Sequence, residues 1–416
     1  MTDRIVIAGA ARTPVGAFLG DLKTVPVQEL ARIAGEEAVK RSGIDKNEID
    51  EVIFGHVISS ADVGNLGRHV GLLMELPHES TGMTVNRICG SGLQALVSAY
   101  QSIKLQDAKV VLAGGAESLS RIPYYLPLSA RYQGFTIGNA TLLDSDNEHH
   151  KNTQPQSIYP DIKHMGNTAE NVAKKYQISR LAQDEFAYHS QMKAKNAIES
   201  GRMAQEIVAV EIKDRKGNVK VVDQDGHPRF STTVESLSKL KPAFDKLEGS
   251  VTAGNSSGIN DGAAAMIVMN ESTAKEKNLE PMAYINDYQI SGCDPRLMGM
   301  GPVPAIQTLL KRNNLTLQDI DYLEINEAFA AQTLGCLIEL GNTPGTELYS
   351  RFNVNGGACA LGHPLGMSGA RITVSLCYEF KNNPQARYAI ASACIGGGQG
   401  IAVLLENPLY GRGENN

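Results

Sequence analysis

Short apolar runs alternate along this chain with longer stretches whose apolar residues recur every three to four positions. Residues 4–8 predict a strand, and 28–40 a helix with Leu30, Ala31, Ala34 and Ala38 on one face. A polar loop from Ile44 then leads into a second apolar run that ends at Gly55. Residues 86–92 open a helix with Leu93, Leu96, Val97, Tyr100 and Ile103 on one face, and a strand over 109–113 ends at Gly114 and Gly115. Strands alternating with helices predict mostly parallel α/β sheets.

The same order returns in the second half. A helix over 304–311 precedes the loop and strand 315–326, and the Ile-Asp pair at 320–321 echoes the one at 49–50. The run 355–366 opens a helix carrying Ile372, Leu376 and Phe380, and a strand over 388–393 ends in Cys394 and a glycine cluster, Gly396-Gly397-Gly398-Gln399-Gly400. Two such halves predict an internal duplication about a pseudo-twofold axis. The stretch between them is polar and broken by Pro123, Pro127, Pro155 and Pro160, with helices predicted over 167–175 and 180–200. The expected organisation is an N-terminal half over 1–118, an inserted loop domain over 119–250, a return to the first half over 251–272, and a C-terminal half over 273–416. Inserted loops of this kind commonly carry ligand contacts.

Composition narrows the function classes. A chain of 416 residues with 42% hydrophobic and 20% charged residues is globular, which excludes disorder. A net charge of −6 argues against a protein built to coat nucleic acid. An anionic ligand stays open, because a helix N-terminus can bind one whatever the net charge. No apolar run reaches the roughly 18–20 residues of a membrane span, and no signal-peptide core opens the chain. The six cysteines form no Cys-x-x-Cys pair, so neither a disulfide scaffold nor a zinc knuckle is expected. A reduced, cytoplasmic protein is expected.

Three residues could carry chemistry. Cys89 precedes Gly-Ser-Gly at a predicted helix start, where unsatisfied N–H groups favour a thiolate and lower its pKa. The alternative for such a cysteine is a small buried hydrophobe. His363 takes the corresponding helix opening in the second half, so the duplication would bring base and thiol face to face. Cys394 ends the last buried strand before flexible backbone donors, where ligands bind in α/β sheets. It reads either as a thiol able to exchange a proton with a carbon acid or as a buried residue in a tight turn. The glycine cluster after it lacks the Gly-Lys-Ser/Thr of a phosphate loop, and the first strand lacks a dinucleotide fingerprint. His149 and His150, in a charged insertion, read as a solvated loop rather than a metal site.

With these residues in view the chain closely resembles the thiolases over essentially its whole length. Asn86-Arg87-Ile88-Cys89-Gly90-Ser91-Gly92-Leu93-Gln94-Ala95 resembles the family's nucleophile motif. Asn326-Glu327-Ala328-Phe329-Ala330, Gly362-His363-Pro364-Leu365-Gly366 and the run from Cys394 to Gly400 resemble its other active-site motifs. The stretch 251–262 is similar to the segment that lies along coenzyme A. The resemblance implies a layered αβαβα core of two duplicated halves with an inserted loop domain, assembled as a homotetramer. It implies acetyl transfer between coenzyme A thioesters, two acetyl-CoA condensing reversibly to acetoacetyl-CoA, with no tightly bound cofactor and no metal.

The resemblance also implies roles. Cys89 takes the acyl group as a thioester, His363 accepts its proton, and Cys394 removes a proton from the second acetyl-CoA. Asn326 holds a water that, with His363, stabilises the enolate oxygen, and the backbone N–H groups of Cys89 and Gly396 hold the tetrahedral intermediate. Ser257, Ala253, Ala328 and Phe329 are implied along the pantetheine channel, and His164 and Met165 at pantetheine and thioester. Arg229 is implied near the nucleotide end and Met298 at the acyl pocket. Cys359 and Met367 depart from the family's usual smaller or aliphatic residues and read as packing changes, and the stretch 134–160 is longer than in many short-chain members. A 3-ketoacyl-CoA thiolase acting on longer chains is the second enzyme reading, and a non-catalytic acyl-CoA-binding protein the third. The retention of Cys89, His363 and Cys394 together speaks against the third.

Overall fold

The computed structural model describes residues 3–411. The first half runs through β1 (Ile5–Arg12), α1 (Val27–Ser42), β2 (Glu51–Gly55), α2 (Leu66–Leu73), β3 (Thr81–Val85), α3 (Ser91–Lys104) and β4 (Val110–Ser118). A long excursion follows with α4 (Ser145–Asn152), α5 (Met165–Lys175) and α6 (Arg180–Glu199), after which β5 (Asn260–Asn270) returns to the sheet. The second half comprises β6 (Ala283–Gly292), α7 (Pro302–Arg312), β7 (Tyr322–Ile325), α8 (Ala330–Leu340), α9 (Leu365–Asn382), β8 (Tyr388–Ile395) and β9 (Gln399–Glu406).

The strand order shows the duplication directly. Along the sheet it reads β7-β8-β9-β6-β1-β5-β4-β2-β3. From the middle outward the first half therefore gives β1, β5, β4, β2, β3 and the second β6, β9, β8, β7. Where the counterpart of β3 would follow, a single parallel bridge joins Leu323 to Phe352. The halves meet where Ile5, Val6 and Ile7 pair antiparallel with Ile285, Tyr284 and Ala283.

The sheet is mixed, which corrects the expectation of mostly parallel strands. Only β2–β3, β2–β4 and β7–β8 are parallel among these pairs. The last strand of each half lies beside its predecessor and runs against it. For β9 the return is a hairpin, in which Gly397 and Gly398 take φ of 82° and 87°. For β5 it comes after the whole inserted stretch.

Helices cover both faces in five layers. Leu30, Ala34, Leu66 and Val70 of α1 and α2 pack on the outer face of the first half with Phe54, Leu112 and Ile267. Ile306 and Leu309 of α7 and Leu337 of α8 do the same on the second half. Between the halves lie α3 and α9, whose Leu93, Leu96, Ile372, Leu376 and Phe380 share one core with strands from both. α9 has no solvent face to keep polar and is buried on every side over residues 365–378, whereas α3 exposes Gln101 and Lys104 near its end.

Two close approaches fix where these central helices begin. A Cβ on Gly92 would lie 2.5 Å from the backbone nitrogen of Ala370 and 2.8 Å from the Gly366 carbonyl oxygen. Only hydrogen at that position lets the first turns of α3 and α9 touch backbone to backbone. β4 runs straight through Gly114 and Gly115 to Ser118 instead of ending there, because β5 pairs with it as far as Ser118, and Gly115 is the glycine that admits the Gly366 carbonyl. The Glu117 carboxylate then ties the parts together, accepting from the N–H groups of Val57 (3.0 Å), Ile58 (3.2 Å) and Gly366 (2.9 Å) and lying 2.9 Å from His56 Nδ1.

The inserted stretch is clamped to the core by Arg12 at the end of β1. Fully buried, its guanidinium donates to Glu206 (2.5 Å) and in fork geometry to both oxygens of Asp225 (2.6 and 2.9 Å). No helix among the described residues is long and apolar enough to cross a membrane.

Candidate active site

Cys89 and His363 each sit two residues ahead of a central helix, α3 and α9 respectively. The turn holding Cys89 is unusual. Ile88 takes a φ of 45°, a left-handed conformation costly for a β-branched residue. Side chains hold it there: the Ile88 N–H donates to Asn86 Oδ1 (2.9 Å), and Ser91 Oγ donates to the Ile88 carbonyl (2.6 Å) while accepting from the Arg87 N–H (2.9 Å). Such strain at a helix opening aims the next side chain, here the thiol.

Burial pushes that thiol up to about 11, although the N–H of Gly396 and the N–H of Cys89 itself favour the anion. This corrects the expectation of a lowered pKa. A helix terminus contributes a fraction of a charge, and it does not offset the loss of water around a thiolate in an apolar setting. The resting Cys89 is a thiol, and attack by its sulfur would need a base.

The His363 ring is held in one orientation. Its Nδ1 lies 2.6 Å from Ser368 Oγ, whose own proton goes to the Pro364 carbonyl at 2.9 Å. Nδ1 therefore carries the hydrogen it donates to Ser368, which leaves the lone pair on Nε2. Burial drives the imidazole down to about 3, with the charges of Arg371 and His150 adding to the effect. Asn326 Nδ2 stands 3.4 Å from Nε2, and its Oδ1 is buried with no protein partner among the described residues. Cys394, fully buried at the end of β8, packs with Met165, Met298, Ala328 and Phe329. Burial, followed by the neighbouring Cys89, holds its thiol far above the ordinary range.

Cys89 and His363 open onto one cavity of about 460 Å³. Ala253, Ser257, Ala328, Phe329, Met298, His164, Met165 and Arg229 all line it. Asn326, Cys394 and Gly396 do not line it. They stand behind its wall, against His363, the lining methionines and the Cys89 sulfur respectively. Cys359 lies away from the cavity in the outer core of the second half, and Met367 fills the central core.

The structure corrects the reading of His149 and His150 as a solvated loop. They belong to α4, capped by Asp144 through the N–H groups of Asp146 and Asn147. His150 lines the cavity and packs against His164 with the rings tilted by 37° and their centroids 4.1 Å apart, and His164 stacks in turn on Phe244 at 4.8 Å. Burial lowers both imidazoles to about 4, so neutral rings pack as aromatic surface. The sequence did carry a signal: an Asx cap followed by Asp146 and His150 at i, i+4 marks one face of a short helix. Phe244, His227 and Leu119 are further lining residues that sequence reasoning missed. They come from separate loops, and no local spacing links them. Among the described residues no group of three or more His, Cys, Asp or Glu could hold a metal ion.

Comparison with known proteins agrees with this architecture. The thiolase N-terminal domain family matches residues 5–272 and the thiolase C-terminal domain family residues 279–407. An acetyl-CoA acetyltransferase of Cupriavidus necator is 46% identical over 409 residues, spanning 98% of this chain and 100% of that protein. A mitochondrial 3-ketoacyl-CoA thiolase of Bos taurus is 45% identical over 404 residues, 97% of this chain and 98% of that one. Among solved structures, the Bacillus anthracis acetyl-CoA acetyltransferase superposes with a TM-score of 0.91 at 44% identity, covering 97% of this chain and 99% of that one. Human mitochondrial 3-ketoacyl-CoA thiolase in complex with CoA superposes at 0.90 and 42%, covering 98% of each chain. Two duplicated halves, a strained cysteine turn facing a histidine, and matches that span both halves lead to one conclusion: the chain belongs to the thiolase family.

Proposed function

We propose that this protein is an acetyl-CoA C-acetyltransferase, interconverting two acetyl-CoA with acetoacetyl-CoA and CoA through an acetyl-Cys89 thioester. The observation that carries the reading is the shared cavity, with the Cys89 thiol and the free Nε2 of His363 at one wall and Cys394 and Asn326 just behind it. As the Cys89 sulfur attacks the thioester carbonyl, its proton passes to His363 Nε2. The N–H groups of Cys89 and Gly396 receive the oxyanion. Cys394 protonates the departing CoA sulfur, and the thiolate so formed takes a proton from the methyl of the second acetyl-CoA.

His363 Nε2–H and a water positioned by Asn326 then hold the enolate oxygen while its carbon attacks the acetyl group. The unpartnered Oδ1 of Asn326 supports that placement. Collapse releases acetoacetyl-CoA, and the proton on His363 returns to Cys89. Two thiols are needed because one is acylated when the other must move a proton. The coenzyme would enter along Ser257, Ala253, Ala328 and Phe329, past His164 and Met165, with Arg229 towards its nucleotide end, Met298 at the acyl group, and the inserted stretch 119–250 supplying one wall.

A homotetramer acting in a reducing, cytoplasmic setting is proposed with it. Six unpaired cysteines support the setting. The outer strand β3, which pairs on one side only and exposes Met83, offers one place for a second copy to join the sheet. The test is thiolysis of acetoacetyl-CoA by CoA. Loss of ketoacyl-CoA absorbance with the native chain, abolished in Cys89→Ala, is the expected result. Turnover that survives Cys89→Ala would sink the reading.

A further inference from the structure

We infer that an apolar partition made by Leu119, Val57 and Ile58 sets the acyl-chain length this site accepts. The inference rests on the acyl-transfer reading above and deepens it. Leu119 lines the cavity that holds Cys89 and His363. Val57 and Ile58 line a different and larger groove of about 1200 Å³, and the two spaces share no lining residue. Yet Val57, Ile58, Leu119, Leu365 and Cys89 pack as one buried cluster. These apolar side chains therefore lie between the Cys89 thiol and the groove.

Helix α4 completes the partition. Ser145, Glu148, His149 and Asn152 face the groove, while Asp146 and His150 face the reaction cavity. That division follows the i, i+3, i+4, i+7 spacing of one helix face against the other. The far side of the groove is apolar and aromatic, with Tyr125, Leu126, Tyr132 and Phe135. The occupant that suits such a lining, adjoining the packing of the acyl-bearing sulfur, is the methylene tail of a 3-ketoacyl group. With Leu119 and Ile58 in place the tail has no path into it, and the cavity admits short acyl groups only. The partition is a specificity element and takes no part in the bond changes.

The experiment compares kcat/KM for thiolysis of 3-ketodecanoyl-CoA and acetoacetyl-CoA in the native chain, Leu119→Ala, Ile58→Ala and the double variant. The native chain is expected to favour acetoacetyl-CoA. Each truncation should raise the 3-ketodecanoyl to acetoacetyl ratio by about tenfold or more, the scale on which apolar pockets discriminate methylenes. Where an alanine variant does not fold, Leu119→Val and Ile58→Val, which each remove one methylene, must move the ratio in the same direction. A ratio unchanged in variants that still cleave acetoacetyl-CoA overturns the partition and leaves the acyl-transfer reading standing, as it would if a second copy sealed the groove. Equal native turnover of both substrates also overturns it. A native chain inactive on both defeats the acyl-transfer reading and the partition with it.

Discussion

Burial holds the Cys89 thiol near 11 even though two backbone N–H groups favour its anion, and it presses His363 down to about 3. Between those values both groups are neutral in the free protein. In the proposed reaction the thiolate forms only as substrate is attacked, when the proton has Nε2 to go to. Alkylation of Cys89 by iodoacetamide should therefore accelerate about tenfold per pH unit from neutrality towards pH 10, as the thiolate fraction grows. A rate that levels off below pH 8 would reveal a preformed thiolate and contradict the burial argument. Sequence reasoning placed Cys89 at a helix opening, where it stands. It misjudged the charge state, because desolvation depends on what surrounds the sulfur in space.

At the level of elements, the placement of Cys89 and His363, the proposed catalytic pair, depends on the crossing of α3 and α9. Gly92 lets the first turns of the two helices meet, and a methyl group there would press on the backbone of Ala370 and Gly366, which cannot swing aside. Gly92→Ala should push the openings apart and separate Cys89 from His363. A misplacement of about 1 Å costs on the order of a hundredfold in rate. Acetoacetyl-CoA thiolysis is expected to fall by about that factor in a variant that still folds, whereas near-native activity would show that the crossing tolerates a methyl. The helical face of α3 was legible from Leu93, Leu96, Val97 and Ile103, all of which are buried. The direction of the strands was not, because period-two patterning is the same for a parallel and an antiparallel neighbour.

Across the whole molecule, the inserted stretch is joined to the sheet by a buried charge cluster. Glu206 receives Arg12 and Arg202 at 2.5 and 3.0 Å, and it is completely buried. Burial alone would raise its pKa, but the two guanidinium groups overcome that and hold it below its ordinary 4.5. A depressed carboxylate contributes stability above its unfolded value, and that contribution is lost as pH falls through the folded one. Glu206→Gln should cost about 1.5–3 kcal/mol at neutral pH, since it weakens charge-assisted bonds to two guanidinium groups that keep Asp225 and Glu379 as partners. Thermal melts would show a lowered transition at pH 7, and the gap to the native chain should narrow below about pH 4.5. A gap that stays constant into acid would mean that packing, not charge, clamps the insertion.

The sequence alone determined what is written locally and repeated: strand and helix periodicity, the echo between halves, and the glycine-flanked Cys89, His363 and Cys394. Those patterns are read from neighbours along the chain, so they survive without coordinates. Tertiary structure alone decided what depends on groups far apart in the chain. It fixed the mixed strand directions, the neutral resting thiol, and the contact of the His150 ring with His164. It also placed Leu119 and Ile58 on opposite sides of one apolar wall. Desolvation, hydrogen-bond direction and the thickness of a wall arise only when separate segments meet, and no spacing along the chain encodes them.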